Sequence, residues 1–231
     1  MLHMPEMLSA WDREIPRLLS SQITDMSDGR FGGFMLEQFH VDPRHCGFVL
    51  SRLIIVYLTP ASGFFQSGAV KQAIRAAFVY MEKHQRPGGC YDLTNCNFAS
   101  APDTAFMVNA LLNAWWIYEK ASDPAFGWLK EPFLRLIDTA STGIMNGGFH
   151  TPNHRWAIAS CLMCSAKITG RKELAARAQD YLREGLDINE DGEFAERSAG
   201  NYNQVNDDQM IRLYLATGDT QTSWPPNATW K

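Results

Sequence analysis

The chain has 231 residues, of which 45% are hydrophobic and 12% aromatic, a composition that excludes a disordered or fibrous protein. This length can bury a sizeable core and suits one large domain. The net charge of −4 argues against a general nucleic-acid surface, because phosphate binding normally requires clustered Lys and Arg. The longest apolar run, residues 53–58, is far too short to span a bilayer.

The N-terminus and the cysteines indicate the cellular compartment in which the protein is expected. Residues 1–19 combine acidic side chains with an amphipathic spacing, whereas an export signal has a basic start, an apolar block and a cleavage site. Five cysteines, an odd number, suit a reducing compartment better than a disulfide framework. Cys161 and Cys164 lie among apolar neighbours and are expected to be packed core thiols. We expect a cytoplasmic protein, or a periplasmic or secreted one if a signal has been removed.

Helical periodicity runs along the chain, and no convincing strand alternation competes with it. Helices are predicted at residues 5–20, 43–58, 68–84, 102–120, 126–142, 153–169, 172–185 and 203–217. Residues 172–185 carry a single apolar stripe, which is typical of an outer helix with one face in water. Residues 102–120 are apolar almost all round, which indicates an inner helix buried on several sides.

Glycine-rich turns recur at residues 29–34, 86–93, 146–151 and 190–198. Each is followed by a polar stretch and then by a helix that should be largely buried, so the chain resembles a stack of four helical hairpins. We predict an all-α fold in which these hairpins form an incomplete α/α toroid. Residues 1–231 would be one domain, partial or truncated, because a closed toroid usually needs more hairpins. The loops before the inner helices would then converge on one end.

The loop at residues 86–104 has a structural and a functional interpretation. In the structural one, Ser100 caps the next helix and Pro102 occupies its first turn, where a missing N–H costs nothing. In the functional one, Asn95 or Asn97 contacts a sugar hydroxyl. Both interpretations remain open from the sequence.

The segment "GGFHTPNHRW", residues 147–156, has more hydrogen-bonding groups than a helix start needs. Asn153 alone could cap the helix. His150 and His154 have the spacing of two metal ligands on one helical face. Because Pro152 lies between them and no acidic third ligand has a fitting spacing, we predict no metal site.

A third polar loop precedes the last predicted helix. Glu196, Arg197 and Tyr202 lie close together there. In the structural interpretation, residues 191–192 form a turn, and Glu196 pairs with Arg197. Two such loops, both before inner helices and rich in hydrogen-bonding and aromatic residues, favour a ligand site.

One chemistry that needs this set is β-elimination in a uronic-acid polysaccharide. A base removes the proton on carbon 5 and an acid protonates the departing glycosidic oxygen, after donors have neutralised the neighbouring carboxylate. Asn153, with Arg155 or Arg197, could supply those donors. Tyr202 or His154 could transfer the protons. Trp156 offers either a flat face for a sugar ring or ordinary packing.

The segments "TNCNFASAPDTAF", "GGFHTPNHRW" and "DGEFAERSAGNYN" together resemble the heparinase II/III-like polysaccharide lyases, whose catalytic part is an incomplete α/α toroid. The resemblance covers roughly residues 86–217. It implies that Asn153 neutralises the substrate carboxylate and that Tyr202 is the catalytic acid, able to serve as the base as well. The family's catalytic histidine usually lies in or near a C-terminal β-sandwich, which we do not expect within residues 1–231. The assignment of His154 in its place is our own inference.

The sequence thus predicts a lyase that acts on an acidic polysaccharide or oligosaccharide without a cofactor. Asn153, Tyr202, His154 and Arg197 are the predicted catalytic residues, and the predicted substrate contacts are Arg155, Trp156, Asn97, Asn95, Glu196 and His150. One alternative is an α/α-toroid glycoside hydrolase, which would pair Asp103 with Asp208 or Glu196. Another is a helical-repeat domain that binds carbohydrate or a protein without catalysis.

Overall fold

The computed structural model describes residues 4–37, 40–149, 151–185, 187–191, 193–196 and 201–218. The described part is mostly helical, as predicted. Its helices are α1 (Met4–Ser20), α2 (Pro43–Leu58), α3 (Gly68–His84), α4 (Ala101–Lys120), α5 (Lys130–Asn146), α6 (Pro152–Thr169), α7 (Lys172–Arg183) and α8 (Tyr202–Thr217). Its strands are β1 (Met35–Glu37), β2 (His40–Val41), β3 (Tyr91–Leu93) and β4 (Asn97–Ser100).

The even-numbered helices from α2 to α8 form a continuous row. In this row α2 packs on α4, α4 on α6 and α6 on α8, while α3, α5 and α7 pack on α2, α4 and α6 respectively. The predicted difference between inner and outer helices is confirmed for α4 and α7. Buried residues surround α4, whereas α7 buries only Leu174, Ala178 and Tyr181.

The structure adds two short strand pairs that the sequence pattern did not indicate. Strands β1 and β2 pair antiparallel, as do β3 and β4, and each pairing includes a register shift. Both hairpins lie in the polar stretches just before α2 and α4. Strands of two to four residues are too short for their alternation to appear in a sequence window.

The predicted helix at residues 126–142 begins later in the structure. A 3₁₀ turn occupies Pro124–Leu129, and the side chain of Asp123 accepts a hydrogen bond from the backbone N–H of Ala125. This cap and the proline at the first turn favour a tight turn before α5 starts at Lys130. The apolar spacing continues through both elements, so periodicity alone does not separate them.

The starts of the inner helices differ in how they are capped. Ser100 caps α4 by accepting a hydrogen bond from Asp103 N, with Pro102 in the first turn, which confirms the structural interpretation of that loop. At α6 the prediction that Asn153 is the cap is wrong, because Thr151 occupies the cap position and makes no side-chain capping bond. A carboxylate from another segment takes over part of that role.

The structure requires a residue without a side chain at Gly89. Its φ is +97°, and a Cβ there would lie 2.2 Å from the carbonyl oxygen of Thr139 on α5. We expect Gly89→Ala to lower the free energy of unfolding by at least about 2 kcal/mol, since both the backbone conformation and the contact are unfavourable. Urea unfolding measures the loss. Gly88→Ala is the matched control, because a Cβ at Gly88 meets nothing within 4 Å; equal losses would contradict the argument.

The main apolar core lies between the inner and outer helices, and a smaller cluster lies beside it. The smaller cluster consists of Trp156, Phe194, Met210 and Leu213. It joins α6 and α8 to the segment that connects α7 with α8. Within the described ranges, no helix is both long enough and apolar enough to cross a bilayer.

Candidate functional site

A cavity of about 630 Å³ opens where the N-terminal halves of α4 and α6 face α8 and the start of α2. This volume lies within the range of small-molecule sites. Most of the residues that line it have polar side chains, and the full lining consists of Arg44, Phe48, Asp103, Phe106, Asn109, Ala110, Asn113, Asn153, His154, Asn201, Tyr202, Gln204, Val205, Asp208, Gln209 and Arg212. The first turns of α2, α4, α6 and α8 therefore meet at this cavity.

Three of the predicted catalytic residues line this cavity. Asn153 and His154 come from the first turn of α6, and Tyr202 comes from the first residue of α8. The fourth, Arg197, lies outside the described residues, as does His150. Residues that are far apart in the sequence thus meet because α6 and α8 are neighbours in the row.

The side chain of Asn153 is held in one orientation. The Thr151 hydroxyl donates to Asn153 Oδ1 at 2.5 Å, which leaves the amide nitrogen as the donor for a ligand. The residue is only 6% exposed and stands at the positive end of the α6 dipole. An amide donor in this position suits an anionic group in the cavity.

His154 and Tyr202 contribute the groups that can transfer protons. The half-buried His154 ring meets Phe106 edge-on, with the ring centroids 6.0 Å apart. Tyr202 is 36% exposed, so its phenol can reach a ligand in the cavity. Imidazole and phenol together provide a base and an acid.

Two charged groups from different helices meet at one side of the cavity. Arg44 Nη1 lies 3.1 Å from Asp103 Oδ1, and the Arg44 guanidinium lies over the rings of Phe48 and Phe106. The Ser100 hydroxyl donates to the other Asp103 oxygen at 2.6 Å. Arg44 and Ser100 thus hold both oxygens of the Asp103 carboxylate in place.

On α8, two further charged groups are affected by burial. Burial raises the pKa of the Asp208 carboxyl, and the nearby Arg212 offsets this only in part. Burial also lowers the pKa of Arg212, whose Nη1 donates to Asn113 Oδ1 at 2.7 Å. The cavity therefore holds one carboxyl group that is paired with a guanidinium and another that keeps its proton to higher pH.

A buried hydrogen-bond network ties three helices together beside the cavity. Asn109 Nδ2 on α4 donates to the Ala157 carbonyl on α6 at 3.0 Å and to Gln209 Oε1 on α8 at 2.8 Å. The Ser160 hydroxyl donates to the same Gln209 oxygen at 2.8 Å. Such a network fixes the mutual positions of the helices that carry Asp103, Asn153 and Tyr202.

Sequence reasoning missed Arg44, Asn109, Gln209 and Arg212 as cavity residues. A local signal existed for Arg44. Arg44, Asp103 and Asn153 each directly follow a proline in the first turn of an inner helix, and all three line the cavity. Asn109, Gln209 and Arg212 lie inside helices and carry no such local mark.

Two of the predicted substrate contacts, Arg155 and Trp156, are buried and make their contacts within the protein. Trp156 is fully buried, and the Arg155 guanidinium lies 4.4 Å from its ring centroid, so a sugar ring has no access to that face. Arg155 itself is buried and pairs with Glu184 and Asp187. These are structural contacts, which corrects the prediction that Trp156 and Arg155 face a substrate.

The remaining predicted contacts lie outside the cavity lining. Asn97 donates to the Ser100 hydroxyl at 3.1 Å and so supports a helix cap. Asn95 lies exposed in the turn between β3 and β4. Glu196 accepts a hydrogen bond from the backbone N–H of Asn153 at 2.7 Å. Each therefore makes or adjoins a structural contact where the sequence predicted a substrate contact.

The described residues contain no group of three or more His, Cys, Asp and Glu side chains that could hold a metal ion. Cys161 and Cys164 are buried free thiols, which confirms them as core residues. Burial raises the pKa of Cys164 to about 11, so its reactive thiolate is scarce at neutral pH.

Comparisons of the chain with models of known protein families, with the sequences of curated proteins and with solved structures give no match. The site must therefore be interpreted from its own chemistry. It combines an oriented amide donor, an imidazole, a phenol, two guanidinium groups and two carboxyl groups in one cavity.

Proposed function

We propose that this protein is a polysaccharide lyase that cleaves a uronic-acid-containing chain by β-elimination. The observation that carries the proposal is that Asn153 and His154 of α6 line a single cavity with Tyr202 of α8. The resemblance of their segments to heparinase II/III-like lyases supports the roles of Asn153 and Tyr202, whereas the role of His154 is our own assignment. We propose further that the row of hairpins is part of an incomplete α/α toroid, as in that family.

In the proposed reaction, Asn153 acts on the substrate carboxylate. Its amide nitrogen donates a hydrogen bond to that carboxylate, which stabilises the negative charge that develops when the proton on carbon 5 leaves. Because Thr151 holds the amide oxygen, the nitrogen is presented without reorganisation. This preorganisation lowers the barrier to proton removal.

His154 and Tyr202 carry the two proton transfers. The neutral His154 imidazole takes the proton from carbon 5, and the electron pair of that bond forms a double bond to carbon 4. The bond between carbon 4 and the glycosidic oxygen breaks, and the Tyr202 hydroxyl gives its proton to that oxygen. The products are an unsaturated uronate and a new chain end, with no oxidant, reductant or water consumed.

The test is ultraviolet absorbance during incubation with a panel of uronate polysaccharides and their oligosaccharides. Elimination forms a conjugated double bond that absorbs, whereas hydrolysis does not. Rising absorbance with one substrate class supports the proposal and identifies that class. If neither absorbance nor reducing ends appear with any member, the enzymatic proposal is wrong and a non-catalytic binding domain becomes the better explanation.

A glycoside hydrolase is the second candidate, and one observation favours it. Asp103 and Asp208 line the same cavity; Asp103 pairs with Arg44, whereas burial raises the pKa of Asp208. An inverting or retaining hydrolase needs one carboxylate and one carboxylic acid beside the scissile bond. Asp208 would be the acid and Asp103 the base or nucleophile.

The hydrolase candidate makes its own prediction about pH. Asp208 must be protonated to act as the acid, so reducing-end release should fall as pH rises through its raised pKa. Asp208→Asn should abolish the release, whereas Asp207→Asn should not, because Asp207 does not line the cavity. Reducing-end assays across pH measure both. Substantial release by Asp208→Asn would rule out this role.

A further inference from the structure

The segment between α7 and α8 is tied at both ends to the first turn of α6. At its start, Arg155 donates to Glu184 at 2.8 Å, to the Gly185 carbonyl at 2.9 Å and to Asp187 at 2.5 Å. At its end, Glu196 accepts the backbone N–H of Asn153 at 2.7 Å. The helix turn that carries two proposed catalytic residues is thus held by this connection.

Contacts among the described residues of this connection bring residues 187–188 beside residues 194–195. Ile188 and Phe194 form an antiparallel bridge, and the Ala195 N–H donates to the Asp187 carbonyl at 2.7 Å. Phe194 packs in the small cluster with Trp156 and Met210. Because α6 and α8 both contribute to this cluster, the position of Glu196 is set relative to both helices.

Glu196 supplies a hydrogen-bond acceptor that the first turn of α6 otherwise lacks. The four N-terminal N–H groups of a helix need acceptors from outside it, and the cap residue Thr151 makes no side-chain capping bond. A carboxylate at this end is also favoured by the helix dipole. Since Glu196 occupies the backbone N–H of Asn153, the side-chain amide of Asn153 is left to face the cavity.

We infer that Glu196 is a positioning residue that sets the first turn of α6, and with it Asn153 and His154, relative to Tyr202. Tyr202 follows Glu196 closely in the sequence and begins α8. The inference rests on the proposed function for its effect on turnover. The contact itself is independent of any reaction.

For turnover, Glu196→Ala should lower kcat by roughly 10- to 100-fold, because a small displacement of a reacting group costs this much. KM should stay within about threefold, since the substrate-binding groups remain. Glu196→Gln should recover most of the rate, because its amide oxygen can accept the same N–H. Glu190→Ala removes an exposed carboxylate from the same connection and should behave as the wild type.

The contact can also be measured without a substrate. Hydrogen exchange of the Asn153 backbone amide, followed by NMR, should be about tenfold or more faster in Glu196→Ala. In Glu196→Gln and Glu190→Ala it should stay close to the wild-type rate. A wild type inactive on every substrate would overturn the proposed function, while this exchange measurement would still decide whether Glu196 holds the turn.

Two results would overturn the inference. Unchanged Asn153 exchange in Glu196→Ala would show that Glu196 does not hold this turn. A Glu196→Gln variant as inactive as Glu196→Ala, but with wild-type exchange, would show that the charge of Glu196 acts directly on the reaction. If Glu196→Ala does not fold, Glu196→Asp, whose carboxylate is one methylene shorter and cannot reach the same N–H from this backbone position, replaces it in both measurements.

Discussion

Replacing Tyr202 by phenylalanine will lower kcat for elimination by about 10²- to 10⁴-fold, the usual contribution of a positioned acid or base. The change removes only the hydroxyl, which is the proposed donor to the departing glycosidic oxygen. Tyr202 is 36% exposed at the start of α8, so the loss of one hydroxyl should leave the fold intact. Absorbance of the unsaturated product measures the rate, and circular dichroism checks the fold.

Tyr214→Phe is the matched control for this prediction. Tyr214 lies on the same helix and is 44% exposed, but it does not line the cavity. It should keep the wild-type rate. If Tyr202→Phe retains more than about one tenth of the wild-type kcat, Tyr202 is not the acid, and His154 would have to serve both proton transfers.

Trp156→Ala will lower the free energy of unfolding by about 3–5 kcal/mol, the usual cost of removing a fully buried Trp or Phe side chain. The indole is 0% exposed and packs with Phe194, Met210 and Leu213. Its loss leaves a cavity between α6, α8 and the connection before α8. Urea unfolding monitored by circular dichroism measures the change.

Trp156→Phe should cost clearly less, because the phenyl ring refills part of the space. The stacking interpretation of this residue expects a different pattern. It requires weaker binding of uronate oligosaccharides by a variant that unfolds at the wild-type urea concentration. That pattern would contradict the buried packing role.

The sequence by itself determined most of the helices. The bounds of α2 and α3 agree with the predicted residues 43–58 and 68–84, because apolar period, caps and prolines are local properties of the chain. The same local signals placed Ser100 and Pro102 at the start of α4. The strands β1 to β4 were missed because pairing partners, and not local periodicity, produce such short elements.

Within the candidate site, the sequence identified side chains but not their surroundings. Asn153, His154 and Tyr202 were predicted from their chemistry and from their place before buried helices, and they line one cavity. The assignments of Arg155 and Trp156 as substrate contacts were wrong. The same guanidinium or indole can serve a ligand or a core, and only burial distinguishes the two.

Only the tertiary structure decided which distant residues meet. Arg44, Asp103, Asn153 and Tyr202 come from four different helices, and their convergence depends on α2, α4, α6 and α8 packing in a row. The bond from Glu196 to the Asn153 N–H is equally non-local. Helix formation depends on neighbours within a few residues, whereas a cavity depends on how helices pack, which no local pattern encodes.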